Sequence, residues 1–426
     1  MERRIDFPLN VIFIDPDALF DFKKSASFEK TELFRIILQN RKRNLALAKE
    51  FSRLGANVLF VCPKLCENLS APVFEFSSAE GMNFLSVKIK KESKGAFPLR
   101  EISQFCDAVS KNSKAVGGLF SPDAVFCGGT FPFAFASCKR IAKESRAVLI
   151  TLALCDPKKL LKNTKSVSSI SPVLTVLKKA FLMASDESDA LLALFPDFSK
   201  NFSGVKNIFP LELPPVFEEK QPSEKAKELF EKVFAFREGK TFVLASALPL
   251  EDCFSIGELI FSASTFGKSL ALVFLSSGTK EAFYKKLVSE NGITNVFFLE
   301  EPPAGETSFV LSGADAVYLS ENGVLKGSAF DSERCFSAFL SKKPIMASSE
   351  KLSDFFRKTG GCVITKPRSK ESLRLGIKAL FEMSEADRNT LGQLNFSFAE
   401  KHSFENFSKD CFLLTDNLVK QKENRK

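Results

Sequence analysis

Short apolar runs alternate with amphipathic stretches of ten or more residues along almost the whole chain, and this alternation narrows the fold more than any other feature. Asn10–Asp15 is an apolar run ending in a turn, the pattern of a strand buried on both faces of a parallel sheet. Residues 31–54 follow with Phe34, Ile37, Leu38, Leu45, Phe51 and Leu54 near helical spacing, and Gly55 stands where a helix C-terminus favours a left-handed residue. Further strands are expected at 58–61, 123–126, 147–154, 190–194 and 205–209, with helices at 99–110, 132–144 and 173–185. Strands separated by helices of this length imply βαβ units and a parallel sheet.

Pro210, Pro214, Pro215 and Pro222 interrupt the series, a highly charged helical stretch covers 223–238, and a second series begins. Its strands are expected at 241–245, 270–275, 295–299, 316–319, 344–347 and 362–365, with helices at 254–265, 279–290 and 333–340 between them. Residues 369–383, 385–400 and 403–419 read as closing helices. With 426 residues, 45% of them hydrophobic, the chain has material for two cores. The fold class is therefore α/β: two doubly wound parallel-sheet domains with closing C-terminal helices.

Composition removes several kinds of chemistry. The single histidine, His402, argues against a histidine-based metal site and against Ser-His-Asp or Cys-His catalysis, so no metal is expected. The ten cysteines are scattered, with no Cys-x-x-Cys pair, and read as reduced apolar side chains. No run of about 18 apolar residues is present, and the charged start Met1–Asp6 has no apolar segment behind it, which points to the cytoplasm. The net charge of +9 is compatible with an anionic nucleotide, nucleic acid or, through peripheral contact, the inner face of a membrane, and by itself selects none of them. Its basic residues are spread along the chain, so nucleic acid is not the expected partner. Forty-seven Phe against two Tyr and no Trp leave few polar aromatic tips for any site.

In open parallel sheets ligands bind beyond the carboxyl ends of the strands. That rule singles out the loops at 15–17, 128–133, 155–157, 276–278, 300–303 and 321–332. None carries the GxGxxG or GxxxxGK[ST] phosphate fingerprint. Adjacent acids such as Glu218-Glu219 read as solvated surface, whereas Glu300-Glu301 ends an expected strand where ligands sit.

From Ser312 the motifs become specific. Ser312-Gly313-Ala314-Asp315-Ala316-Val317-Tyr318-Leu319, then Lys326-Gly327-Ser328-Ala329, then Lys343-Pro344-Ile345-Met346-Ala347-Ser348 after a helix, resemble the donor domain of retaining GT-B glycosyltransferases of the polysaccharide-biosynthesis type, the family-four-like group. Leu54-Gly55-Ala56-Asn57-Val58, Pro122-Asp123-Ala124-Val125-Phe126, Ser188-Asp189-Ala190-Leu191-Leu192 and Ser403-Phe404-Glu405 are similar to motifs of the same family in the same order. The resemblance implies an acceptor-side domain at 1–212, a donor-side domain at 240–385, and helices at 386–426 that return toward the first domain.

It also implies a glycosyltransferase that moves a sugar from a nucleotide-sugar donor to a glycan or lipid-linked acceptor, with the nucleotide-sugar as substrate and no cofactor. Asp156 takes the catalytic-side position. Gly278, Leu299, Glu300, Gly327, Ser328, Arg334 and Ser337 take the donor side, and Gly128 and Gly129 form the acceptor-side loop. The family's two glutamates, eight residues apart, fall on Ala329 and Ser337. Its phosphate-binding Arg and Lys fall on Ser246 and Glu251, and its histidine falls on Cys155. Retention in this family is thought not to require a protein base, so the missing histidine does not veto activity. Two alternatives remain: a catalytically inactive GT-B-like binding or partner protein, and another GT-B enzyme such as a sugar-nucleotide epimerase.

Overall fold

A computed structural model describes residues 8–16, 32–67, 69–91, 99–128, 134–153, 187–193, 208–210, 221–237, 241–250, 256–275, 278, 280–321, 325–326, 329–330, 332–350 and 352–424. They form two compact units, one built on Met1–Val216 with Gly327–Ala329 and Phe404–Lys426, the other on Phe217–Lys326 with Phe330–Ser403.

The first unit contains β1 (Asn10–Ile14), β2 (Asn57–Cys66), β3 (Val73–Ala79), β4 (Met82–Lys90), β5 (Ala124–Cys127), β6 (Val148–Ala153), β7 (Ala190–Ala193) and β8 (Ile208–Pro210). They lie in the order β3-β4-β2-β1-β5-β6-β7-β8. Every neighbouring pair is parallel except the edge hairpin β3–β4. Side chains two apart share a face. Ile12, Ile14, Leu59, Val61, Val125 and Leu149 therefore pack together with Phe105, Val109 and Ile141 from helices Leu99–Lys111 and Phe135–Ser145. On the other face Val11, Phe13, Val58, Phe60, Phe126 and Ile150 meet Leu47, Ala48 and Phe51 of helix Glu32–Arg53, together with Phe407, Cys411 and Phe412 of the last helix, Phe404–Glu423. Phe13 stacks on Phe126 at 4.5 Å between ring centroids, and Phe51 meets both edge-on. Rings without polar tips suit a core that has no partner to offer a hydroxyl.

The second unit holds β9 (Phe242–Ser246), β10 (Leu270–Leu275), β11 (Val296–Leu299) and β12 (Ala316–Ser320), the short pair β13 (Leu325–Lys326) and β14 (Ala329–Phe330), then β15 (Ile345–Ser348) and β16 (Cys362–Thr365). Six of these make a parallel sheet in the order β11-β10-β9-β12-β15-β16. Both sheets grow outward from a central first strand and reverse direction beside it, which is the doubly wound arrangement.

Gly55 ends helix Glu32–Arg53 at φ 97°, a backbone conformation that a β-carbon disfavours. The hairpin β3–β4, helices Ser113–Phe120 and Ser353–Thr359, and the single turn Thr307–Leu311 lie outside the expectations from sequence. In β3 the run Val73-Phe74-Glu75-Phe76-Ser77-Ser78-Ala79 is largely exposed at the sheet edge, so it carries no continuous apolar signal. The helix expected at 173–185 lies outside the described residues.

The closing helices divide between the units. Helix Glu385–Lys401 belongs to the second, where the buried Asn395 donates through Nδ2 to the carbonyls of Lys343 and Gly361, both at 3.0 Å. Helix Phe404–Glu423 belongs to the first, where Lys422 Nζ donates to the Ala147 carbonyl at 2.8 Å and meets Asp189 at 3.0 Å. Only the second of the two therefore returns to the N-terminal unit.

Candidate functional site

In the second unit the sheet reverses between β9 and β12, so their carboxyl ends form the switch point where open α/β sheets hold ligands. β9 ends in Ser246 and β12 in Ser320, and β15 and β16 end in Ser348 and Thr365; all four are buried. Ser320, Ser348 and Thr365 stand in register across three adjacent strands. Among the described residues Ser348 Oγ has no hydrogen-bond partner. Glu321 follows β12 directly and is held by the next loop. Its Oε2 accepts from Ser349 Oγ at 2.9 Å and from the Glu350 amide at 2.8 Å.

Gly278 lies beyond β10, and a β-carbon there would overlap the Leu250 backbone. The Lys280 amide donates to the Leu250 carbonyl at 2.9 Å, so the loops after β9 and β10 are tied together at a point that tolerates only glycine. Leu299 ends β11 half-buried. Glu300 beside it is exposed and pairs with Lys225 at 2.8 Å. Hydrogen bonding and the charge of Lys225 hold the Glu300 carboxyl below the usual glutamate range. Glu300 is thus an ion-paired surface carboxylate in this structure.

Arg334 lies in the first turn of helix Ser332–Leu340 and is only 12% exposed in its side chain. Its guanidinium sits 3.3 Å from Glu301 Oε1, which brings Arg334 to the carboxyl end of β11. A carboxylate therefore occupies one side of the cation that the family resemblance places on the donor side. Ser337, at the second glutamate position, is 2% exposed and belongs to the buried side of its helix. Sequence reading identified Arg334 and Glu300, but it missed Glu301 as the partner of Arg334. The doublet Glu300-Glu301 was the available signal, and only the fold shows which of the two turns toward the helix.

In the first unit the sheet reverses between β1 and β5. Gly128 follows β5, its amide bonded to the Ile14 carbonyl at 3.0 Å. A β-carbon on it would approach Asn44 Nδ2 to 3.0 Å and the Ile14 carbonyl to 3.3 Å. Asp15, at the end of β1, is buried. Burial, reinforced by the charge of Asp15, pushes the Cys62 thiol up, although a hydrogen bond with Ser86 works against the shift. Gly129, Asp156, Gly327 and Ser328 lie outside the described residues. No cluster of three metal-ligating side chains occurs among the described residues, and no described helix is long and apolar enough to cross a membrane.

Neither a family model nor a curated protein matches the sequence. Solved structures do match the fold. A sucrose-phosphate synthase from Thermosynechococcus elongatus superposes with TM-score 0.59 at 10% identity, over 96% of this chain and 99% of that one. A UDP-forming α,α-trehalose-phosphate synthase from Burkholderia vietnamiensis gives 0.53 at 9%, over 96% and 100%. The corresponding synthase from Burkholderia xenovorans, in complex with glucose-6-phosphate, gives 0.50 at 8%, over 96% and 100%. The chain shares the fold of these proteins over 96% of its length.

Proposed function

We propose that this protein is a glycosyltransferase that moves a sugar from a nucleotide-sugar, preferably a UDP-sugar, onto a hydroxyl of a sugar or glycan acceptor. One observation carries the reading. Both units, in the same chain order and with almost no unmatched length, align with synthases described as UDP-forming or as bound to a sugar phosphate. Fold likeness alone does not assign chemistry, so the residues at the two switch points must supply the rest of the support.

The second unit would take the donor. Arg334, released from Glu301, would place a positive charge beside the leaving diphosphate, and the hydroxyl row with Glu321 would offer partners to the ribose. Gly278 lets that loop close on the Leu250 backbone and keeps the carboxyl edge compact. Gly327, Ser328 and Asp156 keep their assigned roles within this proposal, and the first unit, with Gly128 and Gly129, would take the acceptor. A lipid-linked acceptor with peripheral membrane contact is a variant of the same reading, supported by the net charge of +9.

Titration calorimetry with UDP, GDP and their glucose conjugates tests the proposal. The expected outcome is micromolar to millimolar binding of UDP and slow release of UDP from UDP-glucose when acceptor is added. Absence of binding by every nucleotide would leave the second reading, a partner protein that kept the fold. That reading draws on Arg334 being paired with Glu301 and on the replacement of both family glutamates by Ala329 and Ser337.

A further inference from the structure

Helix Glu32–Arg53 presents Phe51, Ala48 and Leu47 to the first sheet, and one turn earlier the same buried stripe continues with Asn44. A buried helix face normally stays apolar along its length. Here it becomes polar where the helix reaches the carboxyl end of the strands. On β1, Asp15 lies two residues beyond Phe13 and so points to the same face; on β5, Gly128 lies two beyond Phe126. Asn44 therefore stands over the point between β1 and β5 where the strand order reverses. It is 2% exposed, and among the described residues neither Oδ1 nor Nδ2 has a hydrogen-bond partner. Gly128 leaves the amide its space, because any side chain there would crowd Nδ2.

Burying both ends of a carboxamide with nothing to bond is costly, and such groups are rare in folded proteins. The cost is repaid if a ligand supplies the partners. We infer that Asn44 is a specificity-determining residue that hydrogen-bonds the hydroxyls of a polyhydroxylated substrate, a sugar, at the switch point of the first sheet. The chemistry of the amide selects that class. A sugar hydroxyl both donates and accepts, so a pair of them satisfies Oδ1 and Nδ2 together, whereas a doubly ionised phosphate ester offers only acceptors to an amide and leaves Oδ1 unpaired. The inference rests on the glycosyl-transfer reading for why a sugar should be there, but its own evidence is local to the first unit.

The test uses the full chain with D-glucose, glucose 6-phosphate, inorganic phosphate and UDP as separate probes in calorimetry. Wild type is expected to bind both sugars. Asn44→Leu and Asn44→Ala are expected to weaken both by about tenfold or more, as sites built to bond a hydroxyl do when the bonding group is lost, with the affinities for UDP and inorganic phosphate unchanged. Thermal melts establish that each variant is folded. The Asn44 side-chain amide resonances of ¹⁵N-labelled wild type should also move on saturation with glucose, a readout that needs no folded variant. Wild-type sugar affinity in Asn44→Leu overturns the inference and leaves Asn44 a core filler or a water site. So does wild type that binds UDP but neither sugar, or an amide that does not shift. Loss of UDP binding alone, with Asn44-dependent sugar binding intact, sinks the nucleotide-sugar proposal and not this one.

Discussion

At the scale of single residues, the proposed donor site turns on the pair Arg334–Glu301, because the positions that the family resemblance assigns to a basic pair hold Ser246 and Glu251. The guanidinium is largely buried while Glu301 is 43% exposed, so the pair is bound on one side and solvated on the other. An exposed partner contributes little net stability, and exchanging it for a phosphate costs correspondingly little. Arg334→Ala should therefore weaken UDP binding by about 1.5–3 kcal/mol, the range for a charge-assisted hydrogen bond. Glu301→Gln should tighten it by a smaller amount, on the order of 1 kcal/mol, because the arginine no longer has to leave a carboxylate. Calorimetry on the two variants checks both signs. If Glu301→Gln weakens binding, Glu301 is itself a ligand-binding group, and the pair is not a gate on Arg334.

At the scale of elements, the motifs that carried the family resemblance prove to be fold-building devices. Asp123, Asp189 and Asp315 each stand just before a strand and accept the amide of the first or second residue of the neighbouring one. Asp123 Oδ2 accepts from the Asn10 amide at 2.8 Å, Asp189 Oδ2 from Leu149 at 2.8 Å, and Asp315 Oδ2 from Val243 at 2.9 Å. Two of them also hold a cation from another element, Lys422 on Asp189 and Arg237 on Asp315, the latter at 2.9 Å. Parallel strands start without a turn to fix their register, and a carboxylate at each start supplies it. This is why strand positions along the chain were legible: the Asp-apolar-apolar pattern marks strand starts, and helical spacing marks what lies between. The site was legible only in part, because the partner of Glu301 and the place of Asn44 become apparent only when distant segments meet, and the doublet Glu300-Glu301 was the one signal for either. Asp315→Ala should orphan the buried Val243 amide and lose the Arg237 pair, costing about 1–3 kcal/mol in urea unfolding of the second unit. Asp315→Asn keeps an acceptor and should recover most of that loss. Equal losses in the two variants would mean that the charge, and not the strand-start bond, is what the position supplies.

At the scale of the whole molecule, the chain's last helix completes the core of its first unit. Phe407, Cys411, Phe412, Leu418 and Val419 are buried against Phe51 and the sheet face of Phe13 and Phe126, and Phe412 meets Phe51 at 5.3 Å between centroids. Arg53 and Glu405 add a surface pair at 3.0 Å, and Lys422 closes the far end on the Ala147 carbonyl. Burying a side chain such as Phe, Leu or Val contributes roughly 1.5–3 kcal/mol. Four or five of them together approach the 5–15 kcal/mol that a domain of this size has in total. Removing residues 404–426 should therefore unfold the N-terminal unit, although every deleted residue lies at the opposite end of the sequence. The second unit keeps its own core and its own closing helix, Glu385–Lys401, anchored by Asn395. Differential scanning calorimetry of the truncated chain should show the loss of one transition, and limited proteolysis should leave a resistant fragment beginning near the proline-rich segment and ending near Lys401. A truncated chain that keeps both transitions would place the stability of the first unit in its two-faced sheet alone, with the last helix as a cover that the core can do without.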